Sequence, residues 1–153
     1  MENKKFPKPK RGSVFYNDRK IRVCLATDKN HVEGRTIIEW KKDVEDLNKL
    51  SLDDYQYLMK IIFVVRKALL EAYKTDKVYL AYIDEGKHVH WHLFPRKKCS
   101  CSIKGFLLMA QEKEDLSKRD LKKVPLLRSL VIKNLKKSKF SPKLREIYEK
   151  RKN

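Results

Sequence analysis

The sequence predicts an α+β domain: an antiparallel sheet of about five strands packed by one long helix, with a helical C-terminal extension. Three observations carry this. Five short runs between Ser13 and Phe94 are rich in β-branched and aromatic residues or alternate apolar with polar positions. One long run opening at Ser51 repeats its apolar positions at spacings of three and four. Beyond Arg96 the chain becomes strongly basic, and its apolar positions again follow helical spacing.

Taken in order, residues 1–12 read as a loose basic tail. No apolar stretch follows it, so it does not read as a secretory signal. "SVFYND" and "KIRVCLATD" resemble two strands joined by a tight turn at Asn17-Asp18. "GRTIIEW", from Gly34 to Trp40, reads as a third strand. Ser51 suits a helix N-cap, with Asp54 three residues on to complete a capping arrangement. The helix continues through "YQYLMKIIFVVRKALLEAYK". "KVYLAYID" and "HVHWHL" then form a hairpin over 77–84 and 88–94, closed by Pro95. The resulting units are a tail at 1–12, a domain at 13–96 and an extension at 97–153. In the extension, "DLKKVPLLRSLVIKNLKKS" and "SPKLREIYEKRK" read as amphipathic helices, the second with Ser141 as cap and Pro142 at its first position.

A chain of 153 residues is long enough to bury a core, and its 41% hydrophobic content argues against wholesale disorder. Lys and Arg outnumber Asp and Glu by 38 to 20, a formal charge of +18 that attracts polyanions: nucleotides, nucleic acids or an acidic membrane surface. The three cysteines, Cys24, Cys99 and Cys101, lack a paired framework and a second ligand pair for zinc, so they read as ordinary thiols in a reducing compartment. "IIFVVRKALL" is broken by Arg66 and Lys67 and is too short to span a bilayer. A soluble, cytoplasmic protein is expected.

"HVHWHLFPR" holds three of the four histidines at alternate positions. On a strand, His88, His90 and His92 share one face, while Val89, Trp91 and Leu93 share the other and can sit in the core. Three readings compete. Each imidazole can be a core residue bonded to a carbonyl. Two of them can bind a metal, although all three span roughly 13 Å of strand and would need carboxylates from elsewhere to meet at one ion. Or they can act on a phosphate, one attacking phosphorus while its neighbours bind oxygens and protonate the leaving group. The pattern favours the last.

The stretch resembles the histidine-triad (HIT) pattern, His-φ-His-φ-His-φ-φ with φ apolar, filled here by Val89, Trp91, Leu93 and Phe94. The closing Pro95-Arg96 is common in its nucleotide-hydrolase branches. The upstream hairpin, the glycine-led strand and the helix are similar to the family's over roughly residues 13–96. The resemblance implies a nucleotidyl hydrolase or transferase acting on dinucleoside polyphosphates, nucleoside phosphoramidates or adenylylated products. It places the nucleophile at His90, with His88 and His92 in supporting positions. It implies no metal and no other cofactor, and a homodimer.

Departures from the family pattern accompany the match. Arg35 stands where many members carry a fourth histidine; it can hold a phosphate but cannot give up a proton near neutral pH. The segment before the triad is only "DEGK", leaving Asp84, Glu85 and Lys87, of which Lys87 offers a positive contact or is solvated. No N-terminal Cys-x-x-Cys pair is present, so structural zinc is not expected. Asp28, with Thr27 beside it, falls near the family's ribose-binding position, or else belongs to a simple turn in "TDKNHVEG", where His31 faces solvent.

Residues 97–153 hold 18 basic and 6 acidic side chains. They support a rival reading as a nucleic-acid-binding or end-processing module. The aprataxin-like branch acts on DNA ends, but its motif does not usually close with Pro-Arg and it commonly brings a zinc finger. A catalytically silent interaction protein is the other rival.

Overall fold

The computed structural model describes residues 8–26, 32–82, 88–96 and 121–138. β1 (Val14–Asn17), β2 (Ile21–Leu25), β3 (Thr36–Trp40), β4 (Val78–Tyr82) and β5 (His90–Pro95) form one antiparallel sheet in the order β1-β2-β3-β5-β4. The expected second hairpin is present, with Tyr82 opposite Trp91 and Val78 opposite Pro95. β5 inserts between β4 and β3, so the histidine strand is an inner strand.

The register sorts the sheet into two faces. Val23, Ile38 and Trp91 form one cross-strand row, and Leu25, Thr36 and Leu93 the next. These rows share a core with α1 (Leu52–Tyr73), whose Leu58, Ile62, Val65 and Leu69 are buried beside Ile21, Val23, Ile38, Val89 and Leu93. Trp91 is only partly buried against that core. The opposite face carries the rows Arg22–Glu39–His90 and Cys24–Ile37–His92–Ala81. Alternation thus keeps the imidazoles away from the helix.

α1 starts where its cap predicts, with Ser51 Oγ accepting from Asp54 N at 3.2 Å. The Asp54 carboxylate turns to Lys20 Nζ at 2.6 Å. It thereby fixes the first hairpin to the helix. The turn between β1 and β2 is more than a loop of turn formers. Asp18 is buried; its Oδ1 accepts from the N–H groups of Lys20 and Ile21, and its Oδ2 accepts from the hydroxyls of Tyr16 and, from α1, Tyr57.

α2 (Val124–Lys137) opens with Pro125 in its first turn, where a missing N–H costs nothing. It packs on α1 and β1: Lys123 Nζ donates to Ala72 O at 3.0 Å, Lys133 pairs with Glu71, and Arg128 donates to Val14 O. Expectations for Thr27, Asp28, His31, Asp84, Glu85, Lys87, Cys99, Cys101 and the second basic helix lie outside the described residues. No helix among the described residues is long and apolar enough to cross a membrane.

Two buried acids and a half-buried one shape the alkaline limit of stability. Burial, and then the Glu39 carboxylate, push the Cys24 thiol up to about 11 from an ordinary 9.0. Burial likewise raises the Tyr16 and Tyr57 hydroxyls above their ordinary 10.0. The folded protein therefore keeps protons that the unfolded chain releases. That contribution is complete below pH 9.0 and is lost as pH rises through about 11. Denaturation midpoints should be flat from pH 7 to about 9 and fall above it; a midpoint that held steady to pH 11 would contradict these environments.

Candidate active site

Three bonds fix the entry to β5. Val89 N donates to Val44 O at 3.1 Å, and Val89 O accepts from Trp40 N at 3.0 Å. The regular strand begins at His90 rather than at His88, so His88 sits just before it. The reason is visible in the bonding: the His88 carbonyl accepts from the His90 ring, with Nδ1 and oxygen 2.9 Å apart. A carbonyl can only accept, so Nδ1 of His90 carries a proton, and in the neutral ring the lone pair lies on Nε2.

His92 has the opposite tautomer. Its Nδ1 lies 3.3 Å from an Arg35 guanidinium nitrogen, which can only donate, so the proton of a neutral His92 sits on Nε2. The His90 and His92 rings meet edge to face with centroids 4.9 Å apart. Phe94, next on the same face, lies under both His92 and the Arg35 guanidinium. His90 and His92 are each only 8% exposed, so they occupy a more withdrawn position than an open cleft implies. In their neutral forms the two rings thus carry opposite tautomers beside the permanent cation of Arg35.

The family model of the HIT domain matches residues 8–99. The chain belongs to the HIT family. No curated protein sequence matches it. Among solved structures, the HIT chain is similar to a hypothetical histidine triad nucleotide-binding protein from Sulfolobus tokodaii. That likeness has 23% identity and a TM-score of 0.62, covering 85% of this chain and 89% of that one. A Hit-like protein involved in cell-cycle regulation from Bartonella henselae is 15% identical, with a TM-score of 0.61 over 82% of this chain and 87% of that one. The Plasmodium falciparum diadenosine triphosphate hydrolase is also 15% identical, with a TM-score of 0.56 over 92% of both chains. At these identities the likeness shows the HIT fold.

Arg35 is held by more than its side chain. Its N–H donates to Val32 O, and its carbonyl accepts from Ala26 N, both at 2.8 Å. Gly34 precedes it with φ +76, a left-handed conformation that favours glycine. A Cβ there would come within 2.6 Å of the Tyr73 ring and 2.9 Å of Pro95. Gly34→Ala should therefore cost about 2–3 kcal/mol and displace Arg35, read as a lower denaturation midpoint. Unchanged stability would contradict both the left-handed backbone at Gly34 and its close approach to Tyr73 and Pro95.

Arg35, His88, His90 and His92 thus come together around one face. Two residues that sequence reasoning missed join them. Glu39 is 5% exposed and touches both Arg22 and His88. The signal was present, since a carboxylate interrupts the otherwise apolar "TIIEW". Phe94 was read only as an apolar filler of the motif. Among the described residues, no three metal-ligating side chains are grouped to hold one ion.

Proposed function

We propose that this HIT protein is a nucleotidyl hydrolase or transferase in which His90 attacks the α-phosphorus of a nucleotide derivative. The observation that carries the reading is the 2.9 Å contact between His90 Nδ1 and the His88 carbonyl, which holds the ring and assigns the Nδ1–H tautomer, so that in the neutral ring Nε2 is the nucleophilic nitrogen. In the first step the Nε2–P bond forms and the bond from phosphorus to the leaving group breaks, the leaving group taking the electron pair. In the second, water attacks phosphorus, the Nε2–P bond breaks, the water proton passes to solvent or the leaving group, and the nucleoside monophosphate departs. His92 Nε2–H donates to a phosphate oxygen, and Arg35 balances the charge that builds on the transition state.

Arg35 also narrows the substrate. It cannot supply a proton, and it occupies the lone pair that a second proton on His92 would need. A leaving group that departs as a stable anion suits such a site better than an amine, which must leave protonated. The favoured substrate is therefore a phosphoric anhydride, a dinucleoside polyphosphate, ahead of a phosphoramidate. The diadenosine triphosphate hydrolase among the similar folds supports that choice. In the family's ribose-binding role, Asp28 and Thr27 would hold the sugar hydroxyls, and Lys87 would face the phosphates.

Intact-protein mass spectrometry after a rapid alkaline denaturing quench tests the mechanism. Mixing with diadenosine triphosphate should produce a nucleoside-monophosphate adduct that is missing in His90→Ala. No adduct and no nucleotide release from any polyphosphate or phosphoramidate would favour a silent binding protein.

A second reading has its own observation. α2 contains no acidic residue, and Lys122, Arg128, Lys133, Lys136 and Lys137 are exposed on or beside it. That face suits a polyanion such as nucleic acid. Binding of a single-stranded oligonucleotide should then weaken steeply with salt, and absent binding at low salt would remove this reading.

A further inference from the structure

We propose that the Glu39 carboxylate, held by Arg22, is a positioning residue for His90 that acts through His88. The inference rests on the reading of His90 as nucleophile. Cross-strand register sets Arg22, Glu39 and His90 in one row on the sheet face away from α1. The neighbouring β3 positions Ile37 and Ile38 are apolar. A largely buried carboxylate costs solvation that a single partner scarcely offsets, so stability alone does not explain it.

Oε2 accepts from Arg22 Nε at 2.6 Å, and Oε1 lies 3.4 Å from the buried His88 Nε2, within ion-pair reach though short of a formed hydrogen bond. A carboxylate can only accept, so it favours the His88 tautomer protonated at Nε2. The other ring nitrogen of His88 faces Asp43 at 4.0 Å, but Asp43 is fully exposed and exerts a screened field. Glu39 is thus the inner anchor of the His88 ring. The two Val89 bonds fix the main chain beside it, and the His88 carbonyl receives the His90 Nδ1–H. The line runs from carboxylate to ring, from ring to carbonyl, and from carbonyl to the nucleophile. A ring free to turn would let the His88 peptide drift and carry the His90 lone pair off its approach to phosphorus.

The test uses the full chain labelled with 15N-histidine. Four histidines give a readable long-range 1H–15N spectrum, and His88→Asn and His90→Asn assign the rings. The informative variant is Arg22→Met/Glu39→Leu, which removes both charges and leaves neither partner buried alone. Its thermal midpoint should stay within a few degrees of wild type. The His88 ring should lose its preference for Nε2–H. With diadenosine triphosphate, kcat should fall about 10- to 100-fold while KM stays within about twofold. Glu39→Gln keeps an acceptor oxygen and should recover part of both effects; should the double variant not fold, it carries the same readouts, with the changes in the same direction.

An unchanged His88 ring signal in these variants would overturn the proposal. So would wild-type kcat in the double variant, which is the result expected if Glu39 merely neutralises Arg22. A wild-type protein without turnover would sink the hydrolase reading alone, because the His88 and His90 ring signals still decide whether Glu39 sets their arrangement.

Discussion

Alanine at position 90 is expected to lower turnover by at least about 10⁴-fold, the scale seen when a covalent nucleophile is removed. The fold should survive. His90 lies on the sheet face away from α1, outside the apolar core, and its Nδ1 bonds the His88 carbonyl. Losing that bond costs about 1 kcal/mol, a shift of a few degrees in midpoint. Kinetics and thermal denaturation on one preparation separate the two effects. His88→Ala and His92→Ala should slow the reaction less, because each removes support for the attack and leaves the attacking nitrogen in place. Turnover near wild type in His90→Ala would end the assignment.

The second large effect falls on Arg35. Arg35→Met should lower kcat/KM for diadenosine triphosphate by about 10²–10³, the scale of removing one charge-stabilising donor from a transition state. The same variant should change hydrolysis of an adenosine phosphoramidate far less. Arg35→His should move the preference further, since an imidazole can lend a proton to an amine where guanidinium cannot. The ratio of the two kcat/KM values across wild type, Met and His variants is the informative quantity. A ratio that did not move would show that leaving-group chemistry is decided elsewhere in the protein.

Much of this was legible in the sequence, for identifiable reasons. Alternation in "HVHWHL" fixed which residues share a face, because a one-residue slip would have turned the imidazoles toward α1 and Leu93 away from it. Ser51 announced α1 because its side chain satisfies an orphan N–H wherever it falls. What stayed hidden depends on partners distant in sequence. Asp18 looked like a turn residue, and only Tyr57 from α1 makes it a buried junction. Arg35 could be suspected of holding phosphate, but its contact with His92, 57 residues away, sets which nitrogen of that ring bears the proton. Glu39 was passed over inside an apolar strand because its meaning comes from Arg22 on one neighbour and His88 beyond the other.

The place of β5 in the sheet has a consequence for how the protein fails. His90 and His92 sit on a strand flanked on both sides, His92 between Ile37 of β3 and Ala81 of β4 and His90 opposite Glu39 of β3, so this segment belongs to the interior of the sheet. Functional groups carried on loops are commonly lost by local opening well before a domain melts. Here the chemistry is part of the cooperative unit itself. In rising urea, activity and far-ultraviolet dichroism should be lost together, and solvent deuterium should reach this strand only when the whole sheet opens.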